Sequence, residues 1–108
     1  MILGIVGQGF VGNAVYQKFK NYYEVKTFDL DSSKANSTFE EVSECDYVFV
    51  CLPTPMNSDG SCNTDIVEGV IKQLDEIGKT KGIVVKSTIP PGTTEKWNEK
   101  YNTNVIFY

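Results

Sequence analysis

The sequence contains no histidine, and this absence excludes several chemistries within the chain. A serine–histidine–aspartate triad, a cysteine–histidine pair and any metal site built on histidine all need an imidazole. Cysteine is also scarce, because Cys45, Cys51 and Cys62 are an odd number and form no CxxC pair. This pattern disfavours a disulfide scaffold or a thioredoxin-like redox motif and favours the reducing cytoplasm as the location.

Positive charge is low, since ten Lys and Arg residues stand against fourteen Asp and Glu residues, a net charge of −4. Nucleic acids and anionic membranes attract clusters of Lys and Arg, so we expect neither as a partner. No apolar run approaches the roughly 18 residues of a membrane span, and no basic-then-apolar leader is present. With 108 residues, 41% of them hydrophobic, we expect one domain over residues 1–108 with its own core.

Short apolar runs alternate with amphipathic segments along the chain. Runs rich in β-branched and aromatic residues predict strands at 2–6, 25–28, 47–52, 83–85 and 104–108. Strands that alternate with helices predict parallel pairing, right-handed crossovers and an α/β sandwich.

Apolar residues at helical spacing predict the intervening helices. Thr38 and Glu41 have the spacing of a capping box before a short helix at 39–43, and a weaker helix is predicted at 93–101. Asp65 and Glu68 are expected to cap the start of a longer helix that ends at Gly78. The apolar stripes are Val11, Ala14, Val15 and Phe19 in the first helix, and Ile66, Val67, Val70, Ile71, Leu74 and Ile77 in the longer one.

The run Gly7-Gln8-Gly9-Phe10-Val11-Gly12 lies between the first strand and the first helix, which is the context that a GxGxxG motif requires. Gly7 can form the tight turn, Gly9 lets a pyrophosphate approach the backbone, and Gly12 allows close packing of helix on strand. Free amides and the helix dipole would then hold the phosphates without Lys or Arg. The alternative is a glycine turn that only joins strand to helix.

Asp29 follows the second strand, where a carboxylate can accept hydrogen bonds from both adenosine ribose hydroxyls. It would also repel a 2′-phosphate, which favours NAD over NADP. The alternative is that Asp29 only caps a turn with Asp31, Ser32 and Ser33. The Lys34 ammonium could reach the adenosine ribose or phosphate, although a solvated lysine is the usual case.

The third and fourth strands are followed by proline-rich turns, Cys51-Leu52-Pro53-Thr54-Pro55 and Lys86-Ser87-Thr88-Ile89-Pro90-Pro91-Gly92. These prolines stiffen the backbone on either side of Thr54 and just after Thr88. Ligands of open parallel sheets bind outside the carboxyl ends of the strands. Because Gly7, Asp29, Thr54 and Thr88 all fall at such ends, we expect them to form one site.

Four segments, residues 7–12, 29–34, 52–56 and 86–93, together resemble the amino-terminal domain of the UDP-glucose/GDP-mannose 6-dehydrogenases. The resemblance covers nearly the whole chain, and the PTP and KSTxPPGT segments in this order are far more specific than the glycine run. It implies a Rossmann-like three-layer α/β sandwich that binds NAD, in an enzyme that oxidises the 6-hydroxymethyl group of a nucleotide sugar to a carboxylate with NAD⁺.

The resemblance also implies roles for individual residues. The glycines would bind the pyrophosphate, Asp29 and Lys34 the adenosine ribose side, and Thr54 and Thr88 the nicotinamide side. Thr88 would in addition help to orient the catalytic water, which makes it the one catalytic residue expected here. The expected cofactor-binding residues are Gly7, Gln8, Gly9, Phe10, Val11, Gly12, Asp29, Lys34, Leu52, Pro53, Thr54 and Thr88, and no metal is expected.

The chain departs from the family pattern in two places. Only residues 30–46 connect the second strand to the strand before the PTP segment, where the family has another helix and strand. We therefore expect five parallel strands in the order 2-1-3-4-5, truncated beyond strand 2. The second departure is that the sequence stops at Tyr108, before the parts of the family that hold the catalytic cysteine, lysine and asparagine.

These departures limit the expected function. NAD(H) should bind to the 108 residues, whereas a nucleotide sugar should be oxidised only together with the missing domains. Whether copies form a homo-oligomer stays open at this point. Two alternatives also stay open, namely the NAD-binding domain of a hydroxyacid-type dehydrogenase and a non-catalytic nucleotide-sensing or assembly module.

Overall fold

The computed structural model describes residues 1–61, 63–87 and 89–107, which form five strands and four helices. The strands are β1 (Ile2–Val6), β2 (Glu24–Phe28), β3 (Tyr47–Val50), β4 (Gly82–Val85) and β5 (Asn104–Phe107). The helices are α1 (Phe10–Phe19), α2 (Phe39–Ser43), α3 (Asp65–Ile77) and α4 (Thr93–Lys100), with a 3-10 turn at Ser32–Lys34.

All strand pairs are parallel, and the order in the sheet is β2-β1-β3-β4-β5. This confirms the predicted fold class and strand order. β1 lies between β2 and β3, with Val6 opposite Phe28 on one side and Val50 on the other. The loops after β1 and β3 therefore leave the sheet side by side at its carboxyl edge.

Helices cover both faces of the sheet. On one face α1 packs its Val15 against Leu3, Ile5 and Val25. On the other face a larger core joins β1, β3, β4 and β5 to α2, α3 and α4. Its fully buried side chains include Val42, Val48, Val50, Val67, Ile71, Leu74, Ile83 and Val85. No described helix is long and apolar enough to cross a membrane.

Two of the helix predictions need correction. In α1 Val15 is buried, but Val11 and Ala14 of the same predicted stripe are exposed and line cavities at the start of the helix. In α3 the expected cap by Glu68 is wrong, because this carboxylate accepts hydrogen bonds of 2.7 Å from Lys100 Nζ and Tyr101 Oη.

Two other predictions of helix ends agree with the structure, whereas one strand is shorter than predicted. Thr38 and Glu41 form the capping box, and Gly78 ends α3 with a left-handed φ of 70°. The third strand is shorter than predicted and ends at Val50. Two residues later, the Leu52 N–H donates to the Ser87 hydroxyl instead of a strand carbonyl, so the strand pairing does not continue.

Each edge strand is closed by the side-chain amide of an asparagine. On β2 the Asn36 Oδ1 accepts from the Thr27 N–H at 2.8 Å, and Asn36 Nδ2 donates to the Val25 carbonyl at 3.2 Å. On β5 Asn98 pairs with both backbone groups of Val105 at 2.8 Å. These amides take the place of a neighbouring strand and so block edge-to-edge pairing at these positions.

Candidate functional site

The glycine loop at the end of β1 is held by close backbone packing. Gly7 has a φ of 97°, and its N–H donates to the Phe28 carbonyl at 2.8 Å. A Cβ at Gly7 would lie 2.5 Å from the Cys51 carbonyl oxygen, and a Cβ at Gly12 would overlap the Gly7 carbonyl. These two glycines are therefore required by the turn and by the packing of α1 on β1.

Gly9 differs from its neighbours, because no atom lies within 4 Å of the position that its Cβ would occupy. Its backbone is extended, with φ −72° and ψ −158°, and it caps α1 without a side-chain hydrogen bond. The first intrahelical bond runs from Asn13 N–H to the Gly9 carbonyl at 2.9 Å. Helix geometry thus leaves the amides of Phe10, Val11 and Gly12 without an intrahelical acceptor.

The Asp29 carboxylate joins the glycine loop to the loop after β2. Its Oδ2 accepts from the Gln8 N–H at 2.6 Å, and its Oδ1 accepts from the Asp31 N–H at 2.8 Å. The turn-capping alternative is thus present in the structure. It does not exclude the ribose role, because each carboxylate oxygen can accept a second hydrogen bond and Asp29 is only half-buried.

Two cavities flank the start of α1 and share Gly9 and Phe10. The first has a volume of about 550 Å³ and is lined by Gln8, Gly9, Phe10, Asn13, Ala14 and Lys34. The second has a volume of about 430 Å³ and is lined by Gly9, Phe10, Val11, Cys51, Leu52, Pro53, Thr54, Lys86 and Ser87. The structure therefore brings most of the predicted residues together around one end of one helix.

Ser87 is a site residue that the sequence reasoning missed. Its side chain is buried, its hydroxyl accepts from the Leu52 N–H at 2.9 Å, and it donates to the Val50 carbonyl at 3.4 Å. It therefore fixes the segment that leads to Thr54. Its place directly before Thr88 in the KST segment was the available signal. Thr88 itself, like Cys62 and Tyr108, lies outside the described residues.

Cys51 lines the second cavity, but its thiol is not activated as a nucleophile. Burial raises the pKa of its thiol to about 11, so the thiol stays protonated at neutral pH. Burial also raises the pKa of the Cys45 thiol. Within the described ranges, no three His, Cys, Asp or Glu side chains are grouped to hold a metal ion.

A sequence model of the UDP-glucose/GDP-mannose dehydrogenase family, NAD binding domain, matches residues 30–105. The chain belongs to this family. NAD is therefore its cofactor, and the match to the nucleotide-sugar dehydrogenases does not favour the hydroxyacid-type alternative.

Two relatives in sequence agree with this assignment, and a solved structure agrees with the fold. The UDP-glucose 6-dehydrogenase of Streptococcus pneumoniae is 29% identical over all of this chain and 35% of its own length. YtcA of Bacillus subtilis, provisionally named a UDP-glucose 6-dehydrogenase, is 45% identical over 59% of this chain and 14% of its own. The structure of the UDP-D-ManNAc dehydrogenase of Pyrococcus horikoshii superposes with a TM-score of 0.81 at 19% identity, over 99% of this chain and 35% of that one.

The chain thus spans about a third or less of the length of these relatives. The alignment with the Streptococcus pneumoniae enzyme has 138 positions for the 108 residues of this chain, which leaves 30 positions without a counterpart.

The residues at the carboxyl edge fit the cofactor of the UDP-glucose/GDP-mannose dehydrogenase family. NAD is an extended molecule with an anionic centre, and here free helix amides and an open glycine lie between two cavities. A side chain at Gly9 would project into the open space beside the start of α1.

Proposed function

We propose that NAD lies across the start of α1, with its diphosphate at the amides that follow Gly9. Its adenosine half would occupy the cavity lined by Lys34, with the ribose at Asp29, and its nicotinamide half the cavity lined by Leu52, Pro53 and Thr54. The observation that carries this proposal is the open position at Gly9 between the two cavities. Residues 1–108 would act as a single domain, since one sheet joins all five strands.

We propose further that the domain serves a longer enzyme that oxidises a nucleotide sugar. When bound, NAD⁺ supplies the hydride acceptor for that oxidation. The described residues bind and orient the cofactor: Ser87 and the flanking prolines hold Thr54, and Asp29 holds the ribose. Cys51 is not assigned as the nucleophile, because its thiol is protonated at neutral pH. Thr88 keeps its predicted role beside the nicotinamide and the catalytic water.

The location that we propose is the cytoplasm. Cys45 and Cys51 are free thiols, and thiols stay reduced in that compartment. This proposal rests on cysteine chemistry, and fractionation of cells that express the protein would test it.

Calorimetric titration of the chain with NADH and with NADPH tests the assignment of Asp29. The carboxylate should accept hydrogen bonds from the ribose of NADH and repel the 2′-phosphate of NADPH, so NADH should bind at least about tenfold more tightly. Asp29→Ala should weaken NADH binding by about 1–3 kcal/mol, the scale of a lost charge-assisted hydrogen bond.

Asp31→Ala is the matched control for Asp29→Ala, because Asp31 is an exposed aspartate of the same turn that accepts from the Ser33 N–H and hydroxyl. It should leave NADH affinity close to that of the parent. Equal affinities for the two cofactors, or an unaltered affinity in Asp29→Ala, would contradict the ribose role.

A further inference from the structure

The loop after β2 is fixed at two points. At its start, Asp29 accepts from the Gln8 and Asp31 amides, which joins it to the glycine loop. At its end, Asn36 bonds to β2. Between them, Lys34 N–H donates to the Asp31 carbonyl at 3.0 Å, and the Lys34 side chain lines the cavity of about 550 Å³.

Asn36 makes the second attachment with both its side chain and its backbone. Besides the two edge bonds of its amide, its N–H donates to Thr27 Oγ1 at 3.0 Å. The neighbouring Ser37 N–H donates to the Thr27 carbonyl at 3.0 Å, and Ser37 Oγ donates to Asn36 Oδ1 at 2.7 Å. The last part of the loop is thereby held along the outer side of β2.

The bonds of Asn36 to β2 hold the backbone of the loop that carries Lys34, and Lys34 lines the cavity of about 550 Å³. Lys34 is two residues before Asn36, and its long side chain has no fixed position unless its backbone is held. We propose that Asn36 is a positioning residue for the cofactor, which acts by holding the 29–36 loop so that Asp29 and Lys34 face the adenosine half. This inference rests on the proposed function.

Asn98 offers a matched control within the same molecule. It is also an exposed asparagine whose amide closes an edge strand, with two bonds of 2.8 Å to Val105. It lies on α4 beside β5, at the far edge of the sheet from β2, and lines neither cavity at the start of α1. A purely structural role for Asn36 would therefore give the two alanine variants the same behaviour.

The test compares Asn36→Ala, Asn98→Ala and the parent chain by thermal unfolding and by calorimetric titration with NADH, ADP-ribose and nicotinamide mononucleotide. Both variants should unfold at a lower temperature than the parent. Asn36→Ala should bind NADH and ADP-ribose about tenfold more weakly, whereas Asn98→Ala should bind both within about twofold of the parent. Nicotinamide mononucleotide should bind the parent and both variants equally, because its half of the site does not touch the loop.

Asn36→Asp is the conservative variant, and it carries the test if the alanine variant does not fold. It keeps an oxygen to accept from the Thr27 N–H, but its second oxygen would face the Val25 carbonyl without a proton to donate, so it should recover only part of the ADP-ribose affinity. The proposal is overturned if Asn36→Ala, or Asn36→Asp in its place, binds ADP-ribose as tightly as Asn98→Ala. A parent chain that binds neither NADH nor ADP-ribose overturns the proposed function itself, and this inference with it.

Discussion

At the scale of single residues, the three glycines of the loop after β1 have different physical roles. A side chain at Gly7 or Gly12 would clash with backbone atoms. At Gly9 the Cβ position is open and the backbone conformation is one that any residue can adopt. The fold therefore requires Gly7 and Gly12, whereas the proposed position of the NAD diphosphate accounts for Gly9. The GxGxxG motif predicted different roles for these positions, and the surroundings of Gly7 and Gly12 agree with the predicted turn and helix packing.

Gly9→Val should consequently separate binding from stability. The valine has room in the unliganded fold, so the melting temperature should stay within a few degrees of the parent. Its side chain would occupy the approach to the helix amides, and NADH binding should weaken by about tenfold to a hundredfold, the cost of losing charge-assisted hydrogen bonds. Calorimetry and thermal unfolding of the same sample measure both quantities.

Gly69→Val provides the control for Gly9→Val, since Gly69 in α3 also has no atom within 4 Å of its Cβ position. It should leave NADH affinity unaltered. If Gly9→Val bound NADH as tightly as the parent, the proposed position of the diphosphate at the start of α1 would be wrong.

At the scale of secondary-structure elements, strand identity was readable because the buried strands are short apolar runs. Side-chain direction was less readable: Val11 and Ala14 follow the helical period, yet they line the two cavities instead of the core. Periodicity reports which residues share a face and not what covers that face. The edge closures by Asn36 and Asn98 could not be predicted either, because each is a single polar residue with no periodic signal.

The link between α3 and α4 gives a prediction of pH dependence. Hydrogen bonds from Lys100, and then from Tyr101, lower the pKa of the Glu68 carboxyl below its ordinary value of 4.5. A lowered pKa in the folded state means that this carboxylate stabilises the protein above about pH 4.5. The contribution is lost as the pH falls through the lowered pKa.

Glu68→Gln should therefore reduce the melting temperature at pH 7 by about 2–5 °C, a modest change because the pair is partly exposed. The difference from the parent should shrink as the pH is lowered below 4.5. Glu76→Gln, at an exposed glutamate of the same helix, is the control and should change little. If the melting temperature of Glu68→Gln stayed below that of the parent by the same amount from pH 7 down to pH 3, the ionised carboxylate would not be the cause of the difference.

At the scale of the whole molecule, the proposed location of the site follows from the order of the strands. β1 lies between β2 and β3, so the chain places β2 on one side of β1 and then returns to place β3 on the other. A crevice forms where the connections diverge, and ligands of such sheets bind there. The glycine loop, the Asp29 loop and the Leu52–Thr54 turn all open into this crevice.

The sequence was sufficient to predict this arrangement because turn residues followed successive strands at the same edge. It was not sufficient to show how the loops are held in place. The Asp29 bond to Gln8 joins residues 21 apart, and the Ser87 bond to Leu52 joins residues 35 apart. Such long-range hydrogen bonds depend on the assembled sheet and leave no local pattern.

The most direct measurement of the cofactor position is an NMR titration of the ¹⁵N-labelled chain with NADH, read at each backbone amide. The proposed position predicts the largest shift changes at residues 9–13, with further changes at 29–36 and 52–54 and little change along α3 and α4. Changes concentrated along α3 and α4, or no changes at saturating NADH, would contradict a dinucleotide bound across the carboxyl edge of the sheet.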